Sequence, residues 1–254
     1  MEATIRAGLG RSGIASGPDA ARLAVASRTD AGVSARANAL VLESELPGPA
    51  LLRTFNGISS AIFATAATPV DGSFRVRSAA RRTYRYYEPP GPHRLGRWRA
   101  AARALEGTID VRSFGRGLPA DRPVRRTVDA LRVRPRDGGL ELEIVARAFV
   151  WGMVRKIVAA LREVDAGRLS TERLAAAAAG RVRLTLPLAE PEGLVLWDVE
   201  YPVRWAHFAT GPNRAQARRE TATRRDLWAQ GRVLDALSDV QRRSSDSGQG
   251  SGAD

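Results

Sequence analysis

A predicted β-hairpin followed by an amphipathic helix constrains the fold of this chain more than any other feature. The turn sequence Asp137-Gly138-Gly139 separates two strand-forming segments, residues 127–133 and 140–146. Asp-Gly pairs favour the tight turns that join antiparallel strands. From residue 149 to 161 the apolar residues recur at helical spacing, which predicts a helix with one buried face. This part of the chain is therefore expected to fold as an α+β unit.

Short strands and helices alternate along most of the remaining sequence. Strand-forming segments occur at residues 23–26, 39–42, 74–77, 83–87 and 194–201, and helical periodicity occurs at 51–58, 98–105 and 171–179. This order is typical of α+β proteins built from split β-α-β units, the ferredoxin-like arrangement. We therefore predict two ferredoxin-like halves, the first of them one strand short.

Changes in composition suggest where the chain divides. We place a boundary near Ser78, which gives one α+β half at residues 1–77 and a second at residues 78–202. Beyond Pro202 the sequence becomes rich in arginine and ends in a Ser/Gly-rich tail at residues 244–254. This pattern predicts a basic helical extension with a disordered tail at residues 203–254. That extension either binds RNA or packs as a solvated helix on the core.

The chain is strongly basic. Lys and Arg together number 40 against 27 Asp and Glu, for a formal net charge of +13, and Lys156 is the only lysine. Arginine carries a planar fork of donors that suits phosphate and base edges. A charge of this size favours polyanionic partners, so nucleic acid is the expected partner class.

Residue types that are scarce exclude several kinds of chemistry. The chain contains no cysteine and only two histidines, His93 and His207. Disulfides, thiolate nucleophiles and zinc sites built on cysteine are therefore excluded. The sequence shows neither an apolar stretch of about 18 residues nor a basic, apolar leader, so we expect a cytoplasmic location.

A polar loop between two predicted strands carries the most specific motif. Its sequence, Ser27-Arg28-Thr29-Asp30-Ala31-Gly32-Val33, resembles the catalytic loop of the tRNA pseudouridine synthase A family. Four more segments resemble that family in the same order: Arg82-Thr83-Tyr84-Arg85-Tyr86, Gly107-Thr108-Ile109-Asp110, Met153-Val154-Arg155 and Pro191-Glu192-Gly193-Leu194. The resemblance extends over residues 4–202 and implies a pseudouridine synthase fold with a central cleft.

The resemblance implies an isomerisation that needs no cofactor and no metal. Uridine is detached from ribose at N1, rotated and rejoined through C5. Asp30 is the implied catalytic carboxylate, which fits the need for a carboxylate near the anomeric carbon when a glycosidic bond breaks. Such a group either attacks C1′ or removes the proton from C2′, and the family favours the second route.

Four further side chains take implied roles from the same motifs. Arg155 is the implied ion-pair partner of Asp30, because a shielded carboxylate needs a fixed cation to stay ionised. Tyr84 is expected to stack on the flipped base and to reach a polar group with its hydroxyl. Arg28 is implied to hold the target nucleotide out of its stem, and Leu194 to cover the flipped uracil.

The resemblance also implies a partner and a target. The implied substrate is tRNA, modified at uridines 38 to 40 in the anticodon stem-loop, and the implied assembly is a homodimer. Two alternatives stay open: a non-catalytic RNA-binding protein derived from a truncated synthase, and a synthase that acts on another RNA. The presence of Asp30 favours an enzyme, because an unpaired carboxylate in a phosphate-rich groove would repel RNA.

Two features of the N-terminal sequence depart from the family or compete with it. Family members begin with a strand and a Tyr-Asp-Gly-Thr-like loop, which this sequence lacks, so we expect it to start inside the first helix. Residues 8–13 fit the glycine pattern of dinucleotide-binding oxidoreductases, with Asp30 at the matching distance. That pattern must follow a buried strand, however, and residues 1–7 include Glu2 and Arg6. We therefore disfavour the oxidoreductase hypothesis.

Overall fold

The computed structural model describes residues 23–58, 62–208, 214–215, 217–227 and 229–230. The predicted N-terminal helix, the glycine pattern at residues 8–13 and the tail at residues 244–254 lie outside the described residues. Contacts divide the chain into two compact units. One combines residues 23–42 with 70–203, and the other combines residues 43–69 with the described residues from 204 onward.

The smaller unit contains one helix and a pair of short strands. Helix α1 (Gly48–Ile58) confirms the helix predicted at residues 51–58, and it buries Leu52 and Phe55 on one face. Strand β4 (Ala66–Ala67) pairs antiparallel with β10 (Ala206–His207). The segment predicted as a basic helical extension therefore begins with a strand, and residues 217–227 are helical.

The larger unit is built on a mixed sheet of six strands. The spatial order of its strands is β2 (Ser34–Ala35), β9 (Leu194–Glu200), β5 (Arg81–Glu88), β8 (Gly139–Ala146), β7 (Arg125–Arg136) and β6 (Gly107–Asp110). Strand β2 runs parallel to β9, and all other neighbours are antiparallel. Strands β1 (Ala24–Val25) and β3 (Leu40–Val41) form a separate antiparallel pair. The described chain is thus an α+β protein with a mixed sheet.

Three helices contribute to the core of the larger unit. They are α2 (Leu95–Arg103), α3 (Met153–Asp165) and α4 (Thr171–Ala178). Side chains alternate between the two faces of a strand, so Tyr84 and Tyr86 point to the same side of β5, and both are buried. The core joins apolar residues of the helices to those of the sheet, among them Trp98, Ile157, Leu161, Leu174, Leu142, Ile144 and Leu196.

The predicted hairpin is confirmed as β7, a two-residue turn and β8. Asp137 has φ 49° and Gly138 has φ 79°, as the favoured hairpin turn with two positive φ values requires. Gly139 must also be glycine, because a Cβ there would lie 2.1 Å from the Glu88 carbonyl oxygen. The local signal therefore predicted both the turn and its position.

The strand predicted at residues 74–77 is wrong, because this segment is a pair of turns. The amide of Phe74 donates to the Asp71 carbonyl at 3.1 Å, and the amide of Ser78 donates to the Arg75 carbonyl at 2.8 Å. The carbonyl of Arg77 accepts a hydrogen bond from the Arg82 side chain. Turn bonds and a side chain thus occupy backbone groups that a neighbouring strand would otherwise pair.

Helix α3 begins at Met153, four residues after the predicted start at residue 149. Gly152 precedes it with φ 73°, a left-handed conformation that ends the helical geometry on its N-terminal side. The helix then continues to Asp165, past the predicted end at Leu161. The apolar periodicity was interpreted correctly, but the glycine determines where the helix starts.

The compact units combine segments from both sides of the boundary predicted near Ser78. Residues 23–42, from the first predicted half, belong with residues 70–203 because β2 pairs with β9. The division into two ferredoxin-like halves therefore stays a prediction. In the part of the chain that the structure describes, no helix is long and apolar enough to cross a membrane.

Candidate active site

Asp30 lies in the loop between β1 and β2, within the larger unit. The amide of Val33 donates to the Asp30 carbonyl at 3.1 Å, which closes a turn through Gly32. Gly32 has φ 85°, and a Cβ at this position would lie 2.8 Å from Cγ of Pro191. Only glycine fits here without strain, so this residue lets the Asp30 turn approach the segment before β9.

Two side chains hold the Asp30 carboxylate. Its Oδ1 accepts a hydrogen bond from Nε1 of Trp151 at 2.9 Å, and its Oδ2 accepts one from Nη1 of Arg155 at 2.8 Å. The Asp30 side chain is 27% exposed to solvent. The carboxylate is thus fixed in orientation and paired with a cation, yet it remains accessible to a ligand.

Arg155 occupies the first turn of α3, three residues after Gly152. Its Nε donates to the Ala189 carbonyl oxygen at 2.6 Å while Nη1 reaches Asp30. The side chain is only 14% exposed. A guanidinium held by two acceptors in a fixed fork is a more rigid partner than a flexible ammonium. The structure therefore brings together the two residues that sequence reasoning paired.

Trp151 was not predicted as part of the site. Its side chain is 57% exposed, and the Arg116 guanidinium lies 4.2 Å from the centre of its ring. The amide of Arg116 also donates to the Trp151 carbonyl at 2.9 Å. The available signal was its place directly before Gly152, where the chain turns into the helix that carries Arg155.

Arg82 is a second residue that sequence reasoning missed. It is buried, and its Nε donates to Oγ of Ser27 at 3.0 Å. Its Nη2 donates to the carbonyls of Ala26 at 3.1 Å and Arg77 at 2.8 Å, and its Nη1 donates to the Arg147 carbonyl. Arg82 therefore ties the Asp30 loop to β5. Its alternation with Tyr84 along that strand was the sequence signal.

Replacing Arg82 by glutamine is expected to lower the free energy of unfolding by about 3 kcal/mol, because one buried and three part-buried hydrogen bonds lose their charged donor. Activity falls with it, since the Ser27 anchor of the loop is lost. The matched control is Arg81→Gln, whose exposed ion pair with Glu200 spans 3.8 Å and whose loss is expected to cost less than about 1 kcal/mol. Urea unfolding measures both, and equal losses would contradict the anchoring role.

Tyr84 lies close to this network on the buried face of β5. Its ring packs edge-on against Phe149, with 4.9 Å between ring centres. Burial raises the pKa of the Tyr84 phenol, the Arg82 charge and the Ser27 hydroxyl oppose that rise, and the Asp30 charge adds to it. The phenol is therefore neutral at physiological pH and keeps its proton for hydrogen bonding.

The other two residues predicted to contact the substrate are Arg28 and Leu194. Arg28 is exposed, two residues before Asp30 in the loop. Leu194 is buried in the core at the start of β9, opposite Tyr86 in the strand ladder. Their roles toward a substrate stay predictions. The described residues contain no group of three or more His, Asp or Glu side chains arranged to hold a metal ion.

Known proteins resemble this chain over most of its length. A family model described as tRNA pseudouridine synthase matches residues 101–202, which include Trp151 and Arg155. The tRNA pseudouridine synthase A of Thermococcus kodakarensis is 36% identical over 192 residues, which cover 75% of this chain and 72% of the relative. The protein of the same name from Methanosphaerula palustris is 32% identical over 240 residues, covering 93% and 84%.

The chain belongs to the tRNA pseudouridine synthase A family. The family resemblance inferred from the five sequence segments is therefore confirmed, and the chain is an isomerase of this family. The oxidoreductase hypothesis suggested by residues 8–13 is set aside accordingly. Within this family membership, the Asp30, Arg155 and Trp151 cluster is the strongest candidate for the active site of the described chain.

Proposed function

We propose that this isomerase converts uridine to pseudouridine in tRNA, at positions 38 to 40 of the anticodon stem-loop, with Asp30 as the catalytic carboxylate. The observation that carries the proposal is the pair of hydrogen bonds that holds the carboxylate, one from Trp151 and one from Arg155. Each oxygen has a further lone pair, so the group can still accept from or act on a substrate. Its partial exposure leaves it within reach of a nucleotide.

The reaction needs no co-reactant. The N1–C1′ bond breaks and the C5–C1′ bond forms, while C5 loses a proton and N1 gains one. Asp30 removes the C2′ proton as uracil departs with the electron pair of the N1–C1′ bond, which leaves a double bond between C1′ and C2′. It then returns that proton to C2′ when C5 of the rotated uracil bonds to C1′.

The neighbouring residues support this chemistry in different ways. Arg155 sets a fixed positive charge 2.8 Å from Oδ2 of Asp30, which stabilises the ionised carboxylate before it accepts a proton. Trp151 orients Oδ1 of Asp30 through its indole hydrogen bond. Tyr84 offers a ring for stacking on the flipped base and a neutral hydroxyl for hydrogen bonding. Arg28, exposed two residues before Asp30, holds the target nucleotide out of its stem, and Leu194 covers the uracil.

The proposal includes the wider setting of the enzyme. The net charge of +13 supports tRNA as the substrate. We include two ferredoxin-like halves at residues 1–77 and 78–202, joined in one pseudouridine synthase fold with a central cleft. We also include the predicted basic extension from residue 203 onward, in which residues 217–227 are helical. The proposed assembly is a homodimer, and the proposed compartment is the cytoplasm.

Chemical mapping of pseudouridine in an unmodified tRNA transcript tests this proposal. After incubation with the full chain, pseudouridine is expected at one or more of positions 38 to 40 and at no position with Asp30→Asn. Pseudouridine only elsewhere in the tRNA would overturn the assigned target. Tight tRNA binding without any pseudouridine would instead favour the non-catalytic RNA-binding alternative. Pseudouridine formed only in other cellular RNA would favour a different substrate.

A further inference from the structure

Three basic side chains lie close to one another in the larger unit, and one of them stacks on Trp151. Lys156 follows Arg155 in the first turn of α3. The Arg116 guanidinium stacks on the Trp151 ring, and its Cδ lies 3.5 Å from the position that a Cβ at Gly152 would take. The charges of Arg116 and Arg183 both act on Lys156. We call Arg116, Lys156 and Arg183 the basic triad.

The basic triad has no acidic partner among the residues that the structure describes. Within the described ranges, none of its three side chains has a carboxylate oxygen closer than 4.0 Å. Two acidic groups of this region pair with other arginines: Asp30 with Arg155 at 2.8 Å, and Asp110 with Arg112 at 2.7 Å. Arg183 donates instead to the backbone carbonyl of Arg112 at 3.1 Å. In the described part of the chain, the triad therefore holds its positive charges together without an acidic partner.

Most of the charged groups on the outer side of the sheet are arranged differently. There Arg85 and Arg132 share Glu143, at 3.0 and 2.9 Å, and Arg136 pairs with Glu141 at 2.9 Å. Each of those three arginines thus has an acidic partner, which the basic triad lacks among the described residues. The triad is distinguished from other arginines without such a partner by the contact of Arg116 with Trp151.

The closeness of like charges disfavours the charged form of Lys156. Burial lowers the pKa of Lys156, and the charges of Arg116 and Arg183 lower it further. Like charges close together destabilise a folded protein unless an anion lies between them. A folded enzyme that carries this cost beside its reactive carboxylate has a natural use for an anionic ligand.

We propose that the basic triad is a subsite for a backbone phosphate of the RNA, adjacent to the uridine that reacts at Asp30. The inference rests on the proposed function, because it takes RNA as the substrate. Arg116 stacks on Trp151, whose indole nitrogen donates to Asp30, so one side chain separates this member of the triad from the carboxylate. A phosphate flanking the reacting nucleotide lies within the same small region of the surface.

The chemistry of the triad suits a phosphate. Arg116 and Arg183 offer forked donors that can bind two phosphate oxygens, and Lys156 adds a compact charge. Helix α3 has no acidic residue in its first turn, so the positive end of its dipole adds to the same field. The exposed ring of Trp151 faces this region and can stack on a neighbouring base.

A double-mutant cycle between protein and RNA tests the subsite. The RNA is a full-length tRNA, ligated from two halves, in which a neutral methylphosphonate replaces one phosphate at a time around the target uridine. With the native enzyme, one flanking replacement is expected to weaken binding about 10-fold, the loss of a charge-assisted contact. With Lys156→Gln or Arg116→Gln, the same replacement is expected to cost less than about 2-fold.

The matched control is Arg134→Gln, which also removes one exposed positive charge. In the strand ladder, Arg134 of β7 lies opposite Glu141 of β8, near the hairpin turn. Arg82 of β5, which holds the Asp30 loop, lies opposite Ala146 of β8. Five residues of β8 separate these positions, or about 16 Å. The full 10-fold penalty of the flanking methylphosphonate is expected to persist in Arg134→Gln. Lys156→Gln is also expected to be no less stable than the native chain, because it relieves repulsion.

The possible outcomes test the subsite and the proposed function independently. Equal methylphosphonate penalties in the native enzyme and the triad variants would overturn the subsite. A native enzyme that forms no pseudouridine in the unmodified tRNA would overturn the proposed function, while the binding cycle still reports on the triad. Lower stability of Lys156→Gln with an undiminished penalty would assign Lys156 a structural role instead.

Discussion

Asp30→Asn is expected to lower the rate of pseudouridine formation by on the order of 10³-fold or more, because the amide has neither the charge nor the basicity of the carboxylate. Asparagine keeps the shape of the side chain and can still accept from Trp151 or Arg155. The variant should therefore fold normally. Binding of tRNA is expected to stay within about 2-fold of native, since a negative charge is removed from a basic protein.

The release of tritium from tRNA labelled at C5 of uridine measures this prediction, because the reaction replaces the C5–H bond. Single-turnover conditions with excess enzyme report the chemical step itself. The matched control is Asp137→Asn, in the hairpin turn at φ 49°, where asparagine is equally well accommodated. That control is expected to retain full activity. A rate for Asp30→Asn within 10-fold of native would remove Asp30 from the catalytic role.

Arg155→Met is expected to lower the single-turnover rate by about 100-fold, because the carboxylate loses both its cation and its fixed orientation. Arg155→Lys is expected to recover only part of that loss. Lysine restores the charge, but a single ammonium cannot reproduce the fork that reaches Oδ2 of Asp30 and the Ala189 carbonyl together. The rate at saturating tRNA is thus expected to fall from the native enzyme to Arg155→Lys and further to Arg155→Met.

Arg155→Met is also expected to lower the free energy of unfolding by about 2 kcal/mol, less than for a fully buried ion pair because Asp30 is partly exposed. The matched control is Arg168→Met, which breaks the exposed pair with Glu163 at 2.7 Å. Exposed pairs contribute less than about 1 kcal/mol, so this control should change neither rate nor stability appreciably. If Arg155→Met keeps more than a third of the native rate, the ion pair is structural only.

Local patterns were sufficient for most of the secondary structure in the described chain. The Asp137-Gly138 turn, the long strands β5, β7 and β8, and the apolar face of α3 were all correctly predicted. Each depends on residues close together in sequence, where periodicity and turn chemistry act. The start of α3 was missed because a single left-handed glycine overrides the apolar pattern.

One segment was wrongly predicted as a strand, and one short strand was missed. Residues 74–77 have a strand-like composition, but the Arg82 side chain and turn bonds occupy their backbone groups. The short strand β2 was missed because its two residues form a strand only by pairing with β9, about 160 positions later. No local signal could have predicted the pairing of β2.

The sequence by itself determined the family, the α+β class and the identity of the paired residues Asp30 and Arg155, because motifs carry residue types and their order. Only the tertiary structure decided that Trp151 donates to the Asp30 carboxylate, that Arg82 anchors its loop, and that Arg116, with no acidic partner among the described residues, stacks on Trp151. These contacts join residues more than fifty positions apart, or depend on which arginines find an acidic partner. Folding brings such groups together through packing, which residue order alone does not specify.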